Sequence, residues 1–266
     1  MNKILGIAVV NLFILHIFSC YSNEEGCLDR YASNYSVSAD NPCDACCTYP
    51  IVKMQFSERK IGENNMVLND TITVDSMSFF KVTKLKYYLS NLKIYSADAV
   101  ISNLDSIEII DNEPIKIENN FAYIDGLRSG ADFYHTKFDG VIDSISFWVG
   151  LDPVISVEQT TKLKSGDVLY PPSGNIVNGN YCNLSIDVVV GTTIADTLRF
   201  NLCDYKIKST LTFINKPSIS EGVNINISLK QNFESVFKDI DFYTVDSIQL
   251  IHAIEENFVN IFELLE

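Results

Sequence analysis

Seven cysteines and three histidines are the residues of this chain best suited to chemistry, and their spacing divides them into groups. Cys27, Cys43, Cys46 and Cys47 fall in one short stretch, Cys182 and Cys203 lie far downstream, and Cys20 stands ahead of both. Thiols so placed either bridge one another or, as thiolates, hold a metal ion. Cys43-Asp44-Ala45-Cys46 is a C-x-x-C, and zinc would accept four thiolates, but no second well-spaced C-x-x-C accompanies it. If the four are oxidised, three pairings exist. A bond between the adjacent Cys46 and Cys47 is strained, so Cys27 is expected to pair with Cys46 or Cys47, leaving Cys43 for the other. Cys182 and Cys203 each lie about ten residues from a turn centred near Thr192 and Thr193, which sets them opposite one another across a hairpin, within disulfide reach. Two buried free thiols are the alternative.

Imidazole is scarcer. His16 lies in the apolar N-terminal run, His252 near the C-terminus, and His135 in Asp132-Phe133-Tyr134-His135, which reads as a polar loop. His135 with Asp132 or Asp139 is the best candidate for a weak metal site, against the plainer reading of a solvated histidine. Met54, Met66 and Met77 form no close cluster in sequence. There is no Gly-x-Ser-x-Gly, no glycine-rich phosphate loop and no His-Glu-x-x-His. Glycosidase chemistry needs two carboxylates ~5–9 Å apart, and nothing in the sequence singles out such a pair. A non-enzymatic protein is therefore expected. Aspartates within 98–111, 132–143 and 239–246 supply oxygen ligands of the kind calcium prefers, but a solvated acidic surface is the favoured reading of them.

The elements that would carry these residues begin with an export segment. Lys3 is followed by a mostly apolar run from Ile4 to Phe18, shorter than the ~20 residues a bilayer span needs and suited to the hydrophobic region of a secretion signal. Ile17-Phe18-Ser19-Cys20 resembles the lipobox of bacterial lipoproteins, which implies residues 1–19 as signal, lipidation at Cys20 and a membrane held through that lipid. The polar, acidic Tyr21–Glu25 resembles a tether. Outside the cytoplasm thiols tend to be oxidised, which favours disulfides over zinc. Residues 26–50 resemble a short cysteine-rich module of exported bacterial proteins, through Gly-Cys-x-Asp at Gly26, Ala-x-Asn-Tyr at Ala32 and Cys-x-Tyr at Cys47; residues 20–50 then read as anchor, tether and stapled spacer. The net charge of −14, with 34 acidic against 20 basic residues, excludes a phosphate-binding footprint and hence a nucleic-acid partner.

From Ile51 to Glu266 the pattern is period two, as a chain 47% apolar can bury. Leu85, Tyr87 and Leu89 share a face, Leu92 and Ile94 follow in the opposite phase, and the slip at Ser90-Asn91 predicts a bulge. Alternation recurs at Ile145–Val149, Leu184–Val188, Ile207–Phe213 and Val223–Leu229. Many short alternating runs between Gly, Asn, Asp and Pro predict an all-β, antiparallel β-sandwich. Ile248, Ile251, Ile254, Phe258, Ile261 and Leu265 instead space as one amphipathic C-terminal helix over 247–265.

Lys84-Leu85-Lys86-Tyr87-Tyr88-Leu89-Ser90-Asn91-Leu92, then Ile109-Ile110-Asp111, then Phe147-Trp148-Val149-Gly150-Leu151-Asp152 together resemble the MbnP-like family, exported copper-binding β domains named for a methanobactin-associated member. The resemblance implies an Ig-like or MbnP-like sandwich, copper as cofactor, metal handling in the cell envelope and a haem-protein partner. It also marks two site positions. Tyr181 keeps the tyrosine of the family's aromatic segment, whose tryptophans are absent here. Asn201 stands where the family's partner strand carries histidine. The family site therefore reads as degenerate, with Cys182 and Cys203 beside it. The competing reading is a surface binding or adhesion module without metal.

Overall fold

The computed structural model describes residues 23–43, 45–73, 79–97, 99–109, 114–152, 155–171, 174–191, 196–237, 240 and 247–265. Its principal strands are β1 (Ile51–Ile61), β2 (Phe79–Ser96), β3 (Ala122–Asp125), β4 (Gly130–His135), β5 (Ser144–Val149), β6 (Leu184–Val190), β7 (Asp196–Leu202), β8 (Ile207–Thr212), β9 (Ile225–Asn232) and β10 (Phe262–Leu264). The helices are α1 (Glu234–Phe237) and α2 (Ser247–Phe258).

Period-two burial turns the alternating sequence into two sheets. One runs β7-β6-β2-β5-β8, with β3 added along β2, and every pairing in it is antiparallel. The other runs β4-β1-β9-β10. Within it β1 and β9 pair in parallel, which departs from the wholly antiparallel expectation. A parallel pair needs a long connection, and every strand of the first sheet lies between β1 and β9 in sequence. Val52, Met54 and Phe56 of β1, Ile225, Ile227 and Leu229 of β9, and Leu85, Tyr87 and Leu89 of β2 meet in one buried core. Each fully buried apolar side chain of this size contributes about 1.5–3 kcal/mol relative to exposure.

The slip at Ser90-Asn91 is a bulge. The register of β2 against β5 shifts between Ser146 and Trp148, and Asn91 adopts a φ of 49°. The extra residue lets Leu92 and Ile94 rejoin the same core as Leu85 and Leu89 despite their opposite phase. Tyr88 points the other way, into a second small core with Ile107, Ile109, Phe121, Leu151, Leu169 and Tyr181.

The C-terminal helix is shorter than its periodicity predicts. It ends at Phe258, a 3₁₀ turn covers Val259–Ile261, and Phe262–Leu264 becomes β10 along β9. Backbone pairing at that sheet edge and ring packing of Phe262 on Phe147 (5.2 Å) and Tyr87 (6.3 Å) hold it there. Val223 lies outside β9 and is exposed.

The cysteine-rich module is docked rather than merely interposed. Lys137 Nζ lies 2.6 Å from Asp29 Oδ2 and 4.4 Å from the centre of the Tyr49 ring, and Tyr49 donates to the same carboxylate at 3.0 Å. Arg30 pairs with Glu221. Lys137 chiefly, through its hydrogen bond, holds the Asp29 carboxyl below its ordinary range. Pairing inside the module is Cys27–Cys47 and Cys43–Cys46, one of the two arrangements left open by the sequence.

Candidate functional site

The two strand patterns that marked the chain close on one another at the β2 bulge. Gly150 N donates to Tyr88 O at 2.9 Å. Ser90 Oγ donates to Gly150 O at 2.6 Å and accepts from Asp152 N at 2.9 Å. Asn91 Nδ2 reaches Asp152 Oδ2 at 2.9 Å, and Lys206 Nζ lies 2.7 Å from Asp152 Oδ1 and 5.0 Å from the centre of the Trp148 ring. Burial pushes the Asp152 carboxyl upward, but Lys206 and Asn91 outweigh it and leave the group below its ordinary value. Gly150 has a φ of 110°, and a Cβ there would meet Tyr205 O at 2.5 Å. Asn183 completes the closure. Its Oδ1 accepts from Leu151 N at 3.1 Å and its Nδ2 donates to Cys203 O at 2.9 Å and Tyr205 O at 2.7 Å. These side chains satisfy one another, so the motif locks the sheet instead of presenting ligand groups.

Next to this lock stands the β6–β7 hairpin, joined by the Cys182–Cys203 disulfide. Leu184 pairs with Leu202, which sets Asn183 opposite Cys203 and places Cys182 one step along. Residues at the tip of this hairpin, including Thr192 and Thr193, are outside the described residues. Asn201 sits opposite Ser185 and its Oδ1 accepts from Ser185 Oγ at 2.7 Å. Buried Asn175 donates from Nδ2 to Cys182 O at 2.6 Å and to Ser185 Oγ at 2.9 Å, while its backbone N donates to Tyr88 Oη at 2.9 Å. Tyr181 Oη donates to Leu169 O and shares a hydrogen bond with Thr160 Oγ1. Copper selects imidazole or sulfur. Among the described residues here the two cysteines are tied to each other, Asn175, Tyr181 and the Asn201 Oδ1 are engaged internally, and no imidazole is present, so the described part of this hairpin offers copper neither of those ligands.

His135 lies on β4, not in a loop. Ala131 and Phe133 bury on the core side, and β1 supplies the backbone partners that make the segment a strand. The register shifts between Asp132 and His135, which separates their surroundings. Asp132 faces Lys53 at 3.6 Å, whereas His135 Nδ1 lies 2.8 Å from Asp105 Oδ2 and its backbone N donates to that same oxygen at 2.9 Å. Asp105 was invisible as a partner, since it lies thirty residues upstream with no local pattern joining the two. A carboxylate on Nδ1 fixes the ring and leaves Nε2 as a single ligand atom. His135 belongs to the β1 sheet and bonds Asp105, whereas Asn201, the family-related position, belongs to the β2 sheet and bonds Ser185. His252 pairs with Glu255 on α2, Met54 and Met66 are buried in the main core, and Met77 lies outside the described residues.

Of the acidic stretches, Asp143 is held by Lys216 at 2.6 Å and Asp105 by His135; Asp98, Asp111, Asp239 and Asp246 lie outside the described residues. So do Cys20 and residues 1–19, the expected signal, along with Ile110 of the Ile-Ile-Asp pattern. Among the described residues, the cluster of three potential metal ligands is Cys43, Cys46 and Cys47, whose Sγ atoms lie within 4.8 Å of one another.

Comparison with known proteins agrees with the pattern. The family model described as MbnP matches residues 50–252, and the chain therefore belongs to the MbnP family. MbnP from Methylosinus trichosporium is a similar solved structure, with a TM-score of 0.45 at 8% identity over 72% of this chain and 78% of that one. No curated protein matches.

Proposed function

We propose that this member of the MbnP family is a non-enzymatic lipoprotein of the bacterial cell envelope, held through Cys20 to the outer membrane and engaged in copper-associated metal handling without the family's hairpin ligand. The observation that carries this reading is the family match over residues 50–252. The lipobox-like Ile17–Cys20 and the disulfides Cys27–Cys47, Cys43–Cys46 and Cys182–Cys203 support export. The metal contact proposed for the β domain is His135, fixed by Asp105, since the Asn201 Oδ1 and the Tyr181 hydroxyl are engaged internally. A haem-protein partner is the family's analogy for such a role.

That same internal engagement favours a second reading, a surface binding module that kept the fold and closed the metal position with a disulfide. Titration of the disulfide-intact chain with Cu(I) and Cu(II) separates the two. Tight stoichiometric uptake lost on His135→Ala supports metal handling by the β domain. No uptake leaves the binding module. Anchoring is tested apart from metal: Cys20→Ala should move the protein from the membrane fraction to the soluble fraction.

A further inference from the structure

We propose that Cys43 and Cys46 form a reducible disulfide whose thiolates, once released, bind a soft, low-coordinate metal ion such as Cu(I). The site lies in residues 26–50, outside the region that matches the family, and is independent of the reading of the β domain.

Three observations single out this bond. The first is exposure: Cys43 and Cys46 are both partly exposed, whereas Cys27 and Cys182, one partner in each of the other bonds, are buried. An incoming thiol can therefore attack from either side of this bond, but only at Cys47 or Cys203, both also partly exposed, in the other two. The second is loop length. Cys43 and Cys46 are 3 residues apart, against 20 and 21 for the other pairs, and a short loop restrains the open chain least. The third is backbone strain in the loop that this bond closes. Ala45 has a φ of 54°, a left-handed conformation that opening the loop would release.

Opening this bond leaves the module standing, because its flanks are held by other means. Cys43 N donates to Gly26 O at 3.0 Å, Asn34 Nδ2 donates to Cys46 O at 2.8 Å, and Asn34 Oδ1 accepts from Thr48 N at 2.9 Å. Cys27–Cys47 and the Asp29–Lys137 pair remain. The two thiols would thus stay near one another on a held backbone, with Cα atoms now 5.7 Å apart.

The chemistry balances with a dithiol donor. One donor thiolate attacks a sulfur of Cys43–Cys46, the S–S bond breaks, and the second donor thiol resolves the mixed disulfide. The donor leaves oxidised by two electrons, and the protein gains two thiols. Metal binding then displaces both thiol protons. Two metal–thiolate bonds of ~2.3 Å set the two sulfurs no more than about 4.6 Å apart, a spacing open to side chains whose Cα atoms lie 5.7 Å apart. Zinc would call for four ligands, two of which are locked in Cys27–Cys47, so an ion content with two soft sulfurs is favoured.

The test uses the full chain, reduced stepwise with a dithiol: at each step one aliquot is trapped by alkylation for mass spectrometry, and a parallel aliquot, freed of the dithiol and not alkylated, is titrated with Cu(I) against a colorimetric chelator. Cys43 and Cys46 should become alkylated first, with Cys27–Cys47 and Cys182–Cys203 intact. At that stage the protein should take up one additional equivalent of Cu(I), absent before reduction, lost in Cys43→Ser/Cys46→Ser and retained in His135→Ala. The intact Cys27–Cys47 bond in the double variant certifies its folded module. Opening of either other disulfide first, no added uptake, or uptake unchanged in the double variant would each overturn the proposal.

Discussion

Gly150 offers the sharpest test of the view that the shared strand pattern is architectural. Its φ of 110° is one that side-chain-bearing residues rarely adopt, and an added Cβ would stand 2.5 Å from Tyr205 O and 3.2 Å from Lys206 Cα. Both obstacles are backbone, so neither can swing aside like a flexible side chain. Forcing a non-glycine residue into such a conformation costs about 1–3 kcal/mol. Overpacking against a held neighbour adds about 1–3 kcal/mol, and the lower entropy of the unfolded alanine chain returns about 0.4–1 kcal/mol. Gly150→Ala should therefore destabilise the protein by about 1–5.5 kcal/mol. At about 2–4 °C per kcal/mol for a domain of this size, thermal unfolding should shift down by roughly 2–22 °C. Gly166→Ala is the matched control, since Gly166 is exposed, has no positive φ and offers an added methyl group open space, with nothing within 4 Å. Differential scanning calorimetry and urea titration of both variants give the comparison. A Gly150→Ala protein as stable as Gly166→Ala would refute the packing argument and return the glycine to a functional explanation.

Tyr87→Phe should cost about 1–3 kcal/mol by urea denaturation. The ring contacts survive, but buried Gln231 Nε2 loses the oxygen it now reaches at 2.6 Å. Tyr87 is itself pushed up to about 12 by burial, so no change in this cost is expected between pH 6 and 9. Asp152→Asn should weaken the fold at neutral pH, with the gap from wild type narrowing as pH falls below about 4, near the unfolded aspartate value. The sign follows from the lowered folded pKa: the carboxylate's contribution is complete above the unfolded pKa and is lost as pH drops through the folded one. A gap independent of pH, measured by denaturation from pH 7 to 3, would contradict the Lys206 and Asn91 pairing. Replacing both Cys182 and Cys203 by alanine should cost about 3 kcal/mol from loop-closure entropy at a separation of 21 residues, read as a lower urea midpoint than that of the oxidised protein.

Strand periodicity carried the fold a long way, because side-chain alternation and burial are two views of one geometry. The bulge at Ser90-Asn91 was legible for the same reason: a phase slip in the sequence has to become an extra residue in the ladder. The end of α2 was not legible, since Ile261 and Leu265 continue the helical spacing while the open edge of β9 claims Phe262–Leu264. Nor was the parallel β1–β9 pairing, which joins segments far apart in the chain.

The candidate site divides the same way. The sequence by itself determined which donors exist: few imidazoles, an asparagine at position 201, and cysteines in two separate groups. It also determined that Cys182 and Cys203 flank one hairpin, because a hairpin's register follows from counting outward from its turn. Only the tertiary structure decided that His135 belongs with Asp105 rather than Asp132, that Asn201 is consumed by Ser185, and that the cysteine module is clamped to the β domain through Lys137. Those outcomes depend on which sheet edges and loop ends meet in space. No local propensity encodes that choice; burial of the common core does.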